Sequence, residues 1–122
     1  MERKLEIGSE KYTQVFARDE KSVGNANHSY LISTTTKEPS EPAAVLGTIN
    51  FQKGPIKENG VNGIMNEDLI AIVIDRLQGF QGGEYVCREN AIALTKLEEA
   101  LLWLRKRTID RERRGVEGTS IK

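Results

Sequence analysis

Six cations stand within ten residues near the end of this chain. Arg105, Lys106, Arg107, Arg111, Arg113 and Arg114 face only two anions there, Asp110 and Glu112, so residues 105–114 carry a local charge of +4. The chain as a whole is formally neutral, which leaves −4 for everything else. A helix C-terminus attracts cations because its macrodipole is negative, by about 0.3–1 kcal/mol per charge. Two or three basic residues would satisfy that attraction; six point to an anion. Arg107 and Arg111 are spaced i, i+4 and share one helix face as neighbouring forks. Planar guanidinium groups grip phosphates bidentately, which lysine cannot do. The same pair also reads as a solvated face bridged by Asp110 and Glu112, and the residues alone leave both readings open.

Other chemistry-bearing residues argue against catalysis. Cys87 is the single cysteine and His28 the single histidine. A nucleophilic cysteine needs a base beside it, and His28 lies in the polar segment NANHSY with no partner visible in sequence. Cys87 reads as a small buried side chain and His28 as a loop residue. Glu98 and Glu99 are adjacent on a helical stretch and so point apart, whereas paired acid and base work needs both aimed at one point. They read as solvated charges beside Lys96 and Arg105. One cysteine and one histidine cannot build a Cys/His zinc site, and no cofactor or metal is expected. QKGPIKENG lacks the Gly-Lys-Ser/Thr ending of a phosphate loop and the GxGxxG of a dinucleotide fold. It reads as a turn-rich structural loop. In GFQGG, Phe80 sits between glycines at a helix end. It either tucks back as a hydrophobic stop or stands exposed to stack on a base, a contact worth about 1–3 kcal/mol.

These residues need elements to hold them. KYTQVFAR, SYLISTTT and AVLGTINFQ, within residues 11–52, are rich in β-branched and aromatic residues and predict strands. Polar breaks at 19–27 and 37–42 separate them. Residues 52–63 are irregular, and Asn59-Gly60 and Asn62-Gly63 suit tight turns with positive φ. Asn66 is a candidate N-cap, with Glu67 and Asp68 in the first turn. The helix that follows is apolar nearly all round over residues 69–74, which predicts deep burial, and Gly79, Gly82 and Gly83 break it. A second helix is predicted from about residue 84 to 114, with Gly115 as C-cap and Ala91, Leu94, Leu97, Leu101 and Leu104 as its apolar stripe. The expected fold class is α+β: a small N-terminal antiparallel sheet (about 11–63) followed by a C-terminal helical hairpin with one long helix (about 66–114), in a single domain spanning 1–122.

At 122 residues, with 38% apolar and 30% charged, the chain has the composition of a globular domain able to bury a core. The lone cysteine argues for a reducing compartment. Charges at the N-terminus stand where a signal peptide needs its apolar core, and no apolar run approaches the 20 residues a bilayer span requires. The expected location is the cytoplasm, with no membrane partner. Zero net charge, with the cations gathered at one place, fits a small anion better than DNA or RNA.

Geometry adds a constraint. Asn90 is near the start of the long helix and Arg107 is 17 residues further on, roughly 25 Å along the axis. Phe80 belongs to the hinge at the Asn90 end. A small ligand cannot touch both ends of one straight helix. If two such helices pack antiparallel, the hinge of one chain meets the arginines of the other. About 30 helical residues also exceed what one small chain can cover, so a homo-oligomer is expected.

CRENAIALTKLEEALLWLRKRTIDRERRGVEGT resembles the helical hairpin of phage proteins that sequester immune nucleotide signals. It is most similar to the first family of Thoeris anti-defence proteins, with a more distant likeness to the second family of anti-CBASS proteins. INFQKGPIKENGVNGIMNEDLIAIVIDRLQGFQGG extends the resemblance, which covers about residues 48–120 and leaves the first 45 aside. It implies binding without chemistry: capture of cyclic ADP-ribose signals made by TIR enzymes, chiefly glycocyclic ADP-ribose. The implied ligand-binding residues are Phe80, Asn90, Arg107 and Arg111, in dimers that can assemble into hexamers within the bacterial host cytoplasm. The family likeness also brings cyclic di- or trinucleotide binding, at the same or a separate site. The rivals are an enzyme that degrades the same signal and a small nucleic-acid-binding protein.

Overall fold

The computed structural model describes residues 2–8, 11–36 and 40–122, so the first half of the polar break at 37–42 lies outside the described residues. The chain divides into two compact units, Met1–Gly54 with Asn59–Ile64, and Pro55–Glu58 with Met65–Lys122. The α+β reading holds: an antiparallel sheet is followed by helices, one of them long.

In the first unit, β1 (Arg3–Lys4), β2 (Thr13–Ala17), β3 (Ser29–Thr34) and β4 (Val45–Asn50) form an antiparallel meander in chain order. The short strand β1 was not foreseen, since two residues carry no readable period. The register pairs Val15 with Ile32 and Phe16 with Leu31, and it slips once between Ile32 and Ser33 against β4. The break at 19–27 is organised by Asp19, whose carboxylate accepts the N–H groups of His28 at 2.9 Å and Ser29 at 3.2 Å. The bond from the His28 amide is the main reason its carboxyl titrates below the ordinary 3.8.

After β4 the chain is pinned by two amides. Gln52 donates to the carbonyl of Gly60 at 2.8 Å and accepts the N–H of Asn62 at 2.9 Å, while Asn62 bonds both backbone groups of Lys53 at 2.8 Å. Gly60 does take a positive φ of 70°. Gly63 does not; it is there because a Cβ would overlap the Phe51 backbone, which its segment approaches closely.

In the second unit, the one-turn α1 (Ile56–Asn59, whose last residue belongs to the first unit) was read as loop. The hairpin consists of α2 (Asn66–Gln81) and α3 (Arg88–Arg113). Asn66 is the first helical residue and not the cap. Met65 takes that place, and its N–H donates to the Asp68 carboxylate at 2.8 Å. Helix α2 runs straight through Gly79 and stops at Gly82, where the N–H of Gly82 reaches back to the carbonyls of Gln78 and Gly79. Helix α3 begins at Arg88 and not near residue 84, because residues 82–87 form the link and Cys87 is the N-cap. Its far end is a Schellman closure: Val116 N–H bonds the Arg111 carbonyl, Gly115 N–H bonds that of Glu112, and Gly115 has φ +74°.

Leu94, Leu97, Leu101 and Leu104 are half-buried on the hairpin face of α3, though Ala91 is exposed. The expected deep burial of α2 is not found: Ile72 is 63% exposed, and Ala71 and Val73 are exposed too. An all-round apolar helix with one helical neighbour can cover only one of its faces. Helix α3 likewise exposes Leu102 and Trp103, each by 66%. Among the described residues Ala17 is the one buried apolar side chain, so a single chain closes little core.

Candidate functional site

The hinge end of the hairpin gathers Phe80, Tyr85, Arg76 and Asn90. Phe80 is on the last turn of α2, half-buried, with the Arg76 guanidinium over its ring at 4.9 Å from the centroid. That spacing, i and i+4, puts the two on one helix face. The Tyr85 ring stands nearly perpendicular to Phe80 (85°, centroids 5.8 Å apart). Asn90, on the first turn of α3, donates through Nδ2 to the Tyr85 carbonyl at 3.3 Å. Its own N–H reaches the Cys87 sulfur at 3.4 Å. The Gln81 side chain fixes the Cys87 backbone from both sides, at 3.1 Å each. Phe80 and Asn90 are thus brought together through Tyr85, which sequence reasoning passed over. An aromatic in a glycine-bounded link, five residues after Phe80, was the signal available.

Arg107 and Arg111 lie at the opposite end of α3, 17 residues or more from Asn90 and so roughly 25 Å or more along its axis. Within one chain they do not meet Phe80. Arg107 is exposed and has no hydrogen bond or ion pair among the described residues. Arg111 is half-buried, and its Nη2 donates to the carbonyls of Val116 at 3.1 Å and Thr119 at 3.0 Å. The bridging of this pair by Asp110 does not occur. Asp110 takes Lys106 instead, at 2.9 Å, and that bond lowers its carboxyl pKa first among several nearby cations.

Leu102, Arg105, Lys106, Ile109, Asp110 and Arg113 line a shallow concavity of about 430 Å³ on another face of the same helix end. It holds three cations, two aliphatic side chains and one carboxylate, and because Asp110 is paired with Lys106 at 2.9 Å, Arg105 and Arg113 are the cations left to attract an anion.

Elsewhere, His28 does have neighbours. Its Nδ1 is 3.3 Å from the Ser22 hydroxyl and 3.9 Å from the Asp19 carboxylate. A nucleophile relay needs serine and carboxylate on opposite ring nitrogens, and here both approach the same one. Asp19 is moreover occupied by backbone N–H groups. The grouping shapes the β2–β3 break. Cys87 is exposed, contrary to the buried reading, because its thiol caps α3. Glu99 sits 3.9 Å from Lys96, as solvated helix charges do. Among the described residues no group of three His, Cys, Asp or Glu side chains is placed to hold a metal, and no helix is long and apolar enough to cross a membrane.

Two comparisons bear on this arrangement. Residues 44–108 match the family model of the Acb2/Tad1 hairpin domain, which spans α2 and most of α3. A protein of Bacillus phage SBSphiJ7, "Thoeris anti-defense 1", is 47% identical over 99% of both chains, so its similarity also takes in the first 45 residues. With more than half the chain matched by the model and nearly all of it by that relative, this protein belongs to the Acb2/Tad1 hairpin family.

Proposed function

We propose that this chain is a phage anti-defence protein that blocks Thoeris immunity in the host cytoplasm by capturing glycocyclic ADP-ribose or a related cyclic nucleotide, without degrading it. The observation that carries the reading is the division of chemistry along α3. An aromatic and an amide stand at one end, and an unpartnered arginine with its i+4 neighbour stands at the other. A cyclic ADP-ribose has the matching division, a base at one side and a pyrophosphate at the other. Each half of the binding chemistry is present in one chain, but roughly 25 Å separates them.

A second copy packed antiparallel brings the halves together. Phe80 then stacks on the base, Asn90 bonds it or its ribose, and Arg107 and Arg111 of the other copy grip the pyrophosphate. The exposed Ile72, Leu102 and Trp103 supply apolar surface for such packing. The relative's name, Thoeris anti-defense 1, and the family membership support the biological role. The concavity lined by Arg105, Lys106 and Arg113 supports a second, weaker reading, in which a cyclic oligonucleotide binds at a separate site.

Capture is favoured over degradation because Ser22 and Asp19 approach the same nitrogen of His28, and Glu98 and Glu99, adjacent on α3, point apart. The deciding experiment incubates the protein with glycocyclic ADP-ribose, denatures it, and analyses the supernatant. Full recovery of intact ligand is expected. A new product would replace capture with catalysis.

A further inference from the structure

Tyr85 is the most exposed aromatic of the hinge, with 71% of its surface open, and it projects from the link between α2 and α3. Its backbone is nevertheless held. Asn90 Nδ2 donates to its carbonyl at 3.3 Å, the Gly83 N–H bonds the Phe80 carbonyl at 3.1 Å, and Gln81 clamps Cys87 two residues on. An open ring carried on a held backbone binds with little ordering penalty, because it has only two side-chain torsions to settle. Phe80 is less available: it is half-buried, and the Arg76 guanidinium covers part of its ring.

We infer that Tyr85 is a second wall of the base site, set at a right angle to Phe80, and that Asn90 is its positioning residue. The inference rests on the nucleotide-capture reading. A planar base entering this corner stacks on one ring while its edge meets the other, which is the geometry aromatic quadrupoles favour. The Asn90 amide divides its work. Its Nδ2 holds the Tyr85 carbonyl, and Oδ1, which accepts no hydrogen bond among the described residues, is left for a base amine or a ribose hydroxyl.

The test is calorimetric titration of glycocyclic ADP-ribose into the full chain and its variants, with thermal unfolding measured alongside. Tyr85→Ala and Tyr85→Leu should weaken binding on the order of tenfold or more, while Tyr85→Phe stays within about twofold, since stacking needs the ring and not the hydroxyl. Leucine keeps apolar bulk, so a loss with leucine and recovery with phenylalanine reads the ring itself. Asn90→Asp keeps an acceptor but loses the donor to Tyr85. It should weaken binding in the wild-type background and much less in the Tyr85→Ala background. Wild-type affinity in both Tyr85→Ala and Tyr85→Leu would overturn the wall, and an equal effect of Asn90→Asp in both backgrounds would overturn the positioning. If the unaltered chain itself fails to bind glycocyclic ADP-ribose, the functional reading falls and this inference with it.

Discussion

The Nη2 of Arg111 donates to the carbonyl of Thr119 at 3.0 Å, tying the last residues of the chain back onto α3. Arg107, one turn earlier on the same helix, has no such partner. Two arginines that look equivalent in sequence therefore differ in what they do for the fold. Arg111 holds two backbone carbonyls, of Val116 and Thr119, so its replacement reaches the fold as well as the ligand. Arg111→Ala should lower stability by about 1–3 kcal/mol, because two part-buried carbonyls lose a charged donor, and should also weaken ligand capture. Arg107→Ala should weaken capture at least about tenfold and leave stability unchanged. Urea unfolding beside calorimetric titration separates the two effects.

Assembly should depend on the apolar surface that α2 and α3 leave open. Replacing Leu102 or Trp103, both two-thirds exposed in the single chain, by glutamate should shift the protein toward monomer in light scattering. Capture should fall with it. A wild-type chain that is monomeric at concentrations where it binds ligand tightly would contradict the shared site.

Gly79 is a helix-interior glycine, and a Cβ added there meets nothing within 4 Å. Gly79→Ala should therefore raise the stability of the hairpin by roughly 1 kcal/mol, the helix-propensity difference between the two residues. The midpoint of thermal unfolding reports it.

The break between β2 and β3 should be acid-sensitive. The Asp19 carboxyl is held below 3.8 chiefly by the amide of His28. A depressed folded value means the carboxylate contributes stability that is complete above the ordinary value and is lost as pH falls through the folded one. Proton NMR of the His28 and Ser29 amides should show this loss below about pH 4. Asp19→Ala should remove that transition and loosen the break at every pH.

How much of this was legible beforehand depended on whether the deciding partner was near in sequence. Strands β2 to β4 announced themselves through β-branched residues, and α3 through leucines three and four apart, because both signals are local periods. Gly115 was legible as the place where α3 closes, though the cap itself is Arg114 and Gly115 is the positive-φ residue just past it. The partner of Arg111 was not, since Thr119 lies beyond the helix in a segment without period. The role of Asp19 was hidden because His28 is nine residues away across an irregular break. Gly79 misled because glycine is only weakly unfavourable in a helix, and the packing of α2 on α3 outweighs about 1 kcal/mol. The burial of α2 was overestimated by treating apolarity as if one chain must satisfy it. At the site, residue types suggested Phe80 and the arginine pair, and the resemblance added Asn90. Tyr85 left only its position in the link as a signal, and its ring against Phe80 is what marks it.

If one binding site combines the hinge of one chain with the arginine end of another, two defective chains should complement each other when mixed. Phe80→Ala and Arg107→Ala chains, each nearly inactive alone, are mixed, and subunit exchange is confirmed by mass spectrometry. In a heterodimer of the two, one site receives both defects and the other receives neither. Each heterodimer should then regain one site of wild-type affinity for glycocyclic ADP-ribose. If exchange is complete and no binding returns, the two residues serve the same chain's site, and the antiparallel shared pocket is wrong.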